Sequence, residues 1–319
     1  MASQFPIRDS VREIDSRTVL VGNKLIITLA SKIVHGPMWS DNNGNWNSIR
    51  EVQGTPPESF FLMGEALDLI RPIHDADDNF AVWEVGSAFL KIKKSDTSSP
   101  TREHVTLAAL KETPRSFDIP TVLFHGEWDG RDYLIVERGH SPSVAEMWPK
   151  LIEVEKLRCL DQIMALCQEL GRLETGFVGG GDEKQLRDPP MIKSHVEEVF
   201  GTCTDLDLDG SNFMFSHCDL DPENLTLDYG GVLGIINCAF NRSVPREWIW
   251  ARNCTLNGSI SPSIDENDEA GWRKRVHGQM PTEDCPKSAD EWMTWWTQQY
   301  STHNRVSKKM FSGRRIVSL

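Results

Sequence analysis

The residues best suited to chemistry lie between two short apolar runs, in FMFSHCDLDPENLTLDYGGVLGIIN (213–237). His217, Asp219, Asp221 and Asn224 occupy a polar turn after Phe213–Phe215. A carboxylate can take a proton from a hydroxyl, and an amide oxygen can face a hard cation. Leu225–Leu227 and Val232–Ile236 read as two strands joined by the turn Asp228-Tyr229-Gly230-Gly231. A hairpin returns the chain to its starting point, so Asp219, Asn224 and position 237 can face one small volume. His-x-Asp alone is a common string; the ordered hairpin and Asn224 give it weight.

This stretch resembles the catalytic segment of the aminoglycoside phosphotransferase and choline kinase family, where His-x-Asp is followed five residues later by Asn, then a hairpin, then Ile-Asp-Trp. His217, Asp219 and Asn224 match that pattern. The family's Asp and Trp are replaced by Asn237 and Cys238. Pro245-Arg246-Glu247-Trp248 also resembles the segment after the family's Asp-Trp, particularly in fungal members. The resemblance implies an α+β, two-lobed protein-kinase-like fold: a small antiparallel-sheet N-lobe with one helix, and a larger, mainly helical C-lobe. It implies ATP-dependent phosphorylation of a small-molecule hydroxyl, with Asp219 orienting the hydroxyl and accepting its proton, His217 supporting the loop, and Asn224 holding magnesium. Asp221 and Trp248 fall where the family builds its acceptor pocket. Asn237 supplies a neutral oxygen where the family has an anionic metal ligand, so the metal site is expected to be weakened.

The elements that must carry this motif can be read from their patterning. Ala66–Ile73 reads as a strand, His74–Asn79 as a turn, and Ala81–Val85 and Ala88–Ile92 as strands split by Gly86-Ser87. The turn has no glycine and carries Asp75, Asp77 and Asp78, which would repel a triphosphate. By resemblance, Lys91 is the strand lysine that contacts nucleotide phosphates. A helix is expected from Ser99-Pro100, with Ser as cap and Pro at the first position. Glu103, Leu107 and Leu110 share one face of it. A carboxylate on a packed face needs a partner, and by resemblance that partner is Lys91. Ile119–His125 and Tyr133–Glu137 read as strands around the turn Trp128–Asp132. Glu137 leads into the interlobe linker whose backbone, by resemblance, would hold an adenine.

Domains are therefore expected at 1–137 and 138–319, with the catalytic-type loop at 217–237 in the second and 1–60 as an extension of the first. In that extension Thr18–Ile33 reads as a hairpin around Gly22-Asn23, and Asp41–Asn47 as a loop. Farther on, Leu157, Leu160, Ile163, Met164, Cys167 and Leu170 form a helical stripe. Gly179-Gly180-Gly181 reads as a flexible loop and Ser194–Phe200 as a short helix. Many of the 11 Trp lie in the last third, where aromatic walls suit a small organic ligand.

Composition narrows the partners. A net charge of -13 disfavours a nucleic-acid backbone. No apolar run reaches the length of a membrane span, and MASQFPIRDSVREIDSR lacks a signal-type apolar core, so a cytoplasmic location is expected. The 7 Cys form no CxxC pair, which suits a reduced protein without structural zinc. Oligomeric state is not legible. Three functions stay open. The favoured one is a repurposed kinase-fold enzyme that uses Asp219 as general acid or base on a small organic molecule, with no cofactor required. The others are a phosphotransferase using ATP and Mg, and a non-catalytic, pseudokinase-like binding protein.

Overall fold

The computed structural model describes residues 5–30, 32, 36–41, 43–61, 69–76, 79–95, 102–139, 141–172, 174–175, 179–180, 213–217, 222–236, 238, 241–245, 272 and 275–276. Two compact units divide the chain: Met1–Thr97 with Pro120–His140, and Ser98–Ile119 with Ser141–Leu319.

The first unit begins with β1 (Val11–Asp15), β2 (Thr18–Val21), β3 (Leu25–Ala30), β4 (Met38–Ser40), β5 (Trp46–Glu51) and β6 (Phe60–Phe61). They form an antiparallel six-stranded sheet in the order β4-β5-β3-β2-β1-β6. The expected hairpin at Gly22-Asn23 joins β2 to β3, with Val21 opposite Leu25. The expected loop at Asp41–Asn47 is shorter than the sequence suggests, because Trp46 and Asn47 are strand residues of β5. Strands on both sides of β5 supply ladder partners, which outweigh asparagine's preference for turns.

A five-stranded antiparallel sheet follows: β7 (Arg71–Ala76), β8 (Phe80–Val85), β9 (Ala88–Lys94), β10 (Val122–Trp128) and β11 (Arg131–Glu137), in the order β10-β11-β9-β8-β7. The strand expected at Ala66–Ile73 starts later, at Arg71, and includes His74, Asp75 and Ala76 from the expected turn. Pairing decides this: His74 lies opposite Val82, Asp75 opposite Ala81 and Ala76 opposite Phe80. Residues 66–68, 77 and 78 lie outside the described residues.

The two sheets share one core. Ala81, Trp83, Val85, Ala88, Leu90, Ile92, Tyr133 and Ile135 pack with Val19, Val21, Leu25, Ile27, Trp39 and Ile49. Residues 1–60, which suggested no role on sequence, thus contribute a layer of a sandwich. Period-two alternation then puts Phe89, Lys91 and Lys93 on the opposite face of β9. Polar bonds tie the layers: the Trp39 indole donates to the Val85 carbonyl at 2.5 Å, and the Ser87 amide donates to the Ser40 carbonyl at 2.9 Å. The buried Arg131 guanidinium donates to Ser10 Oγ and to the Phe5 carbonyl. Burial pushes the Tyr133 hydroxyl up to about 12, so the ring that stacks on Trp128 at 3.8 Å stays neutral.

The second unit carries α1 (Glu103–Lys111), α2 (Val144–Met147), α3 (Glu153–Gly171), β12 (Glu174–Thr175), β13 (Gly179–Gly180), β14 (Phe213–His217), β15 (Leu225–Leu227), β16 (Leu233–Ile235) and β17 (Asn241–Pro245). The helix expected from Ser99-Pro100 starts at Glu103 after Arg102, which makes no side-chain cap; Ser99 and Pro100 lie outside the described residues. Its buried face holds Glu103, Thr106, Leu107 and Leu110, as the spacing predicts. Along α3 the buried residues are Cys159, Leu160, Ile163, Leu166 and Leu170, while Leu157 is 44% exposed. The expected stripe therefore fails at Leu157, near the start of α3, where Ile152 and Val154 are exposed too. Gly179-Gly180 is a strand where a loop was expected, because its backbone pairs with Ser243 and Arg242 of β17. His217, expected in the polar turn, ends β14 and pairs with Asn241.

An antiparallel sheet, a helix between its third and fourth strands in sequence, then a long helix and a hairpin: these are the elements of the expected α+β, kinase-like fold. Gly86, in the turn between β8 and β9, has φ +59°, and a Cβ there would sit 2.4 Å from Asn47 Nδ2 and 2.6 Å from the Ser40 carbonyl. Gly86→Ala should therefore lower unfolding free energy by about 1–3 kcal/mol, read by urea denaturation.

Candidate functional site

The hairpin β15–β16 is built from apolar residues: Leu225, Leu227, Leu233 and Ile235 are buried. Leu225 lies opposite Ile235 and Leu227 opposite Leu233. The turn closes on Asp228, whose Oδ1 accepts the Val232 amide at 2.6 Å, a use of aspartate typical of tight turns.

Both edges of the hairpin are held. On one side the Asp118 amide donates to the Leu233 carbonyl at 3.0 Å, and the Ile235 amide donates to the Asp118 carbonyl at 2.9 Å. On the other side the Leu227 amide donates to the Pro142 carbonyl at 3.0 Å. Ser143 bridges Thr226 and also caps α2, its Oγ accepting the Glu146 amide at 3.2 Å. The Ser-x-x-Glu spacing of that cap was readable in the sequence. Asp118 acts through its backbone, which no residue pattern announces. α3 adds a bond from Gln162 Nε2 to the Gly231 carbonyl at 2.5 Å.

Asn224 ends a 3-10 turn, Pro222–Asn224, and is half-buried. Its carbonyl accepts the Ile236 amide at 2.8 Å, so the start of the hairpin and the residue before position 237 lie side by side. On the far side of 237, the buried Cys238 gives its amide to Glu103 Oε1 at 3.2 Å. Glu103 is the first residue of α1 and is 8% exposed. A buried carboxylate at a helix N-terminus is favoured by the exposed amides there. Ile236 is thereby tied to Asn224, and Cys238 to Glu103.

The other expected site residues are distributed as follows. Lys91, half-buried, lies mid-strand in β9, opposite Leu134 and Val82; it belongs to the first unit and Glu103 to the second. Glu137 ends β11, is exposed, and gives its amide to the Thr121 carbonyl at 2.8 Å. The backbone of His217 is in β14. Asp219, Asp221, Asn237 and Trp248 lie outside the described residues.

Among the described residues Asn224 offers a neutral amide oxygen, whereas magnesium takes one or two carboxylates together with substrate phosphates.

No family model matches the chain, and no curated protein matches it. Among solved structures it is similar to aminoglycoside phosphotransferases. A thermostable mutant of APH(4)-Ia in apo form is 13% identical, covering 74% of this chain and 94% of that one, with a TM-score of 0.45. APH(2'')-Ib with ADP bound is 15% identical, covering 77% and 88%, with a TM-score of 0.45. The streptomycin–ATP–APH(2'')-IIa ternary complex is 15% identical, covering 77% and 86%, with a TM-score of 0.43. Nothing about this chain's site or reaction follows from likenesses of that degree. Among the described residues no helix is long and apolar enough to cross a membrane.

Replacing Glu103 with Ala leaves the buried Cys238 amide without this acceptor. Glu103→Ala should cost about 1–3 kcal/mol of stability by chemical denaturation, and Glu103→Gln, which keeps a carbonyl oxygen, clearly less.

Proposed function

We propose that this chain is an enzyme of the kinase-like fold that acts on a small organic molecule, with magnesium-dependent phosphoryl transfer from ATP impaired. What supports the reading is the residue type at position 237. The Ile236 amide is bonded to the Asn224 carbonyl and the Cys238 amide to Glu103, and between these two the sequence puts an uncharged amide.

Asp219 is retained and in this reading is the general acid or base. A carboxylate in a partly desolvated pocket has its pKa raised toward the working range for such chemistry. Removal of a proton beside a carbonyl, with return of a proton at the leaving or accepting atom, covers cyclisation, isomerisation and dehydration. None of these needs a cofactor. Asp221 and Trp248 would line the substrate pocket, and His217 would support the loop. The substrate is a small molecule rather than a nucleic acid, and the site of action is cytoplasmic.

A second reading, a phosphotransferase of a small-molecule hydroxyl using ATP and Mg, keeps one point in its favour. Lys91, Glu103, Asp219 and Asn224 all occur in the order such an enzyme needs. Asp219 would then position the hydroxyl and accept its proton.

A thermal-shift titration separates the two. Wild-type protein should show no magnesium-dependent rise in Tm with ATP, and Asn237→Asp should gain one with inorganic triphosphate, which carries no base. A strong magnesium-dependent shift in the wild type would favour the phosphotransferase. Once a substrate is in hand, Asp219→Asn should lower kcat by about 10²-fold or more, the scale of general acid–base catalysis. Unchanged turnover would remove Asp219 from the mechanism.

A further inference from the structure

Three side chains in the first unit form a cluster on the Lys91 face of the five-stranded sheet. Glu84 of β8 lies opposite Phe89 of β9, and Phe89 lies opposite Val136 of β11, one residue before Glu137. Phe89 therefore fills the sheet surface between Lys91 and the start of the linker. The Arg138 guanidinium lies over the Phe89 ring, 5.7 Å from its centroid. Arg138 is held in place by an ion pair to Glu84, and Glu84 also takes Arg71, whose Nε donates at 3.0 Å. The Glu84 side chain is only 16% exposed, so the tether is anchored in the sheet.

The backbone at this point is committed as well. The Glu137 amide donates to the Thr121 carbonyl at 2.8 Å, and the Arg138 amide to the Ser87 carbonyl at 2.7 Å. The Ser87 amide is in turn bound to Ser40 of the six-stranded layer at 2.9 Å.

We infer that Arg138, tethered by Glu84, covers the aromatic face of Phe89 on which a purine base would otherwise stack, and so selects against adenine nucleotides. The inference rests on the reading above, in which phosphoryl transfer from ATP has been lost, and adds a second cause for that loss, independent of the metal. Cation and base compete for the same ring face: a guanidinium and a purine each gain by lying flat on an aromatic ring. With the amides of Glu137 and Arg138 already bonded, a base would also find neither as a donor.

The test uses adenosine, which has neither phosphate nor metal, so position 237 cannot affect it. Binding is followed by intrinsic tryptophan fluorescence or calorimetry on the full chain. Wild-type protein should bind adenosine weakly. Arg138→Ala should tighten binding by about tenfold, the scale of one base stacking on an aromatic ring. Glu84→Gln, which frees Arg138 while preserving the side-chain shape, should tighten it less. Adenosine binding that Arg138→Ala leaves unchanged or weakens would overturn the inference, as would no gain in either variant. A magnesium-dependent shift of the wild type with inorganic triphosphate, which carries no base, would count against the proposed function alone, because adenosine reports on the ring face and not on the metal.

Discussion

The bond from the Ile236 amide to the Asn224 carbonyl is short in sequence terms and long in consequence. It closes the base of a small hairpin and so fixes where the chain goes next. Cys238, two residues on, is bound in turn to Glu103. A backbone carbonyl and amide cannot be mutated away, so the frame survives whatever side chain stands at 237. In the proposed reading, an amide in place of a carboxylate at 237 removes a charge that a hard cation would use.

The first unit shows a different economy. A five-stranded sheet must bury at least one of its faces. Here the covering layer is a second sheet made from residues 11–61, and the two interlock through Val, Ile, Leu and Trp side chains. The layers are also stitched by polar bonds at one end, where Ser40, Ser87 and Arg138 connect the added sheet, the turn between β8 and β9, and the start of the linker in sequence. Rigidity at that turn comes from close approach: Gly86 packs where no Cβ fits. The same end of the sheet carries Glu84, Phe89 and Arg138.

The hairpin was legible because its apolar pairs, its Asp-Tyr-Gly-Gly turn and its flanking polar residues all point the same way. So were the strands on either side of Gly86-Ser87 and the buried face of α1. Boundaries were not legible where pairing overrode composition: Trp46 and Asn47 joined β5, and His74 to Ala76 joined β7, because neighbouring strands offered ladder partners. The double-glycine strand at 179–180 belongs to the same class. The roles of Asp118 and Pro142 escaped the sequence altogether, since both act through main-chain atoms. The Cys238 amide's bond to Glu103 is one that no spacing rule would suggest.

The central claim is that an uncharged amide at position 237 cannot support a magnesium-bridged triphosphate. Crystals grown with manganese and a non-hydrolysable ATP analogue would test it directly, with anomalous scattering locating each ion. The account predicts no ordered ion against Asn237 and no triphosphate bridged to it. Two manganese ions, one bound by the Asn237 amide oxygen and both contacting an intact triphosphate, would contradict it.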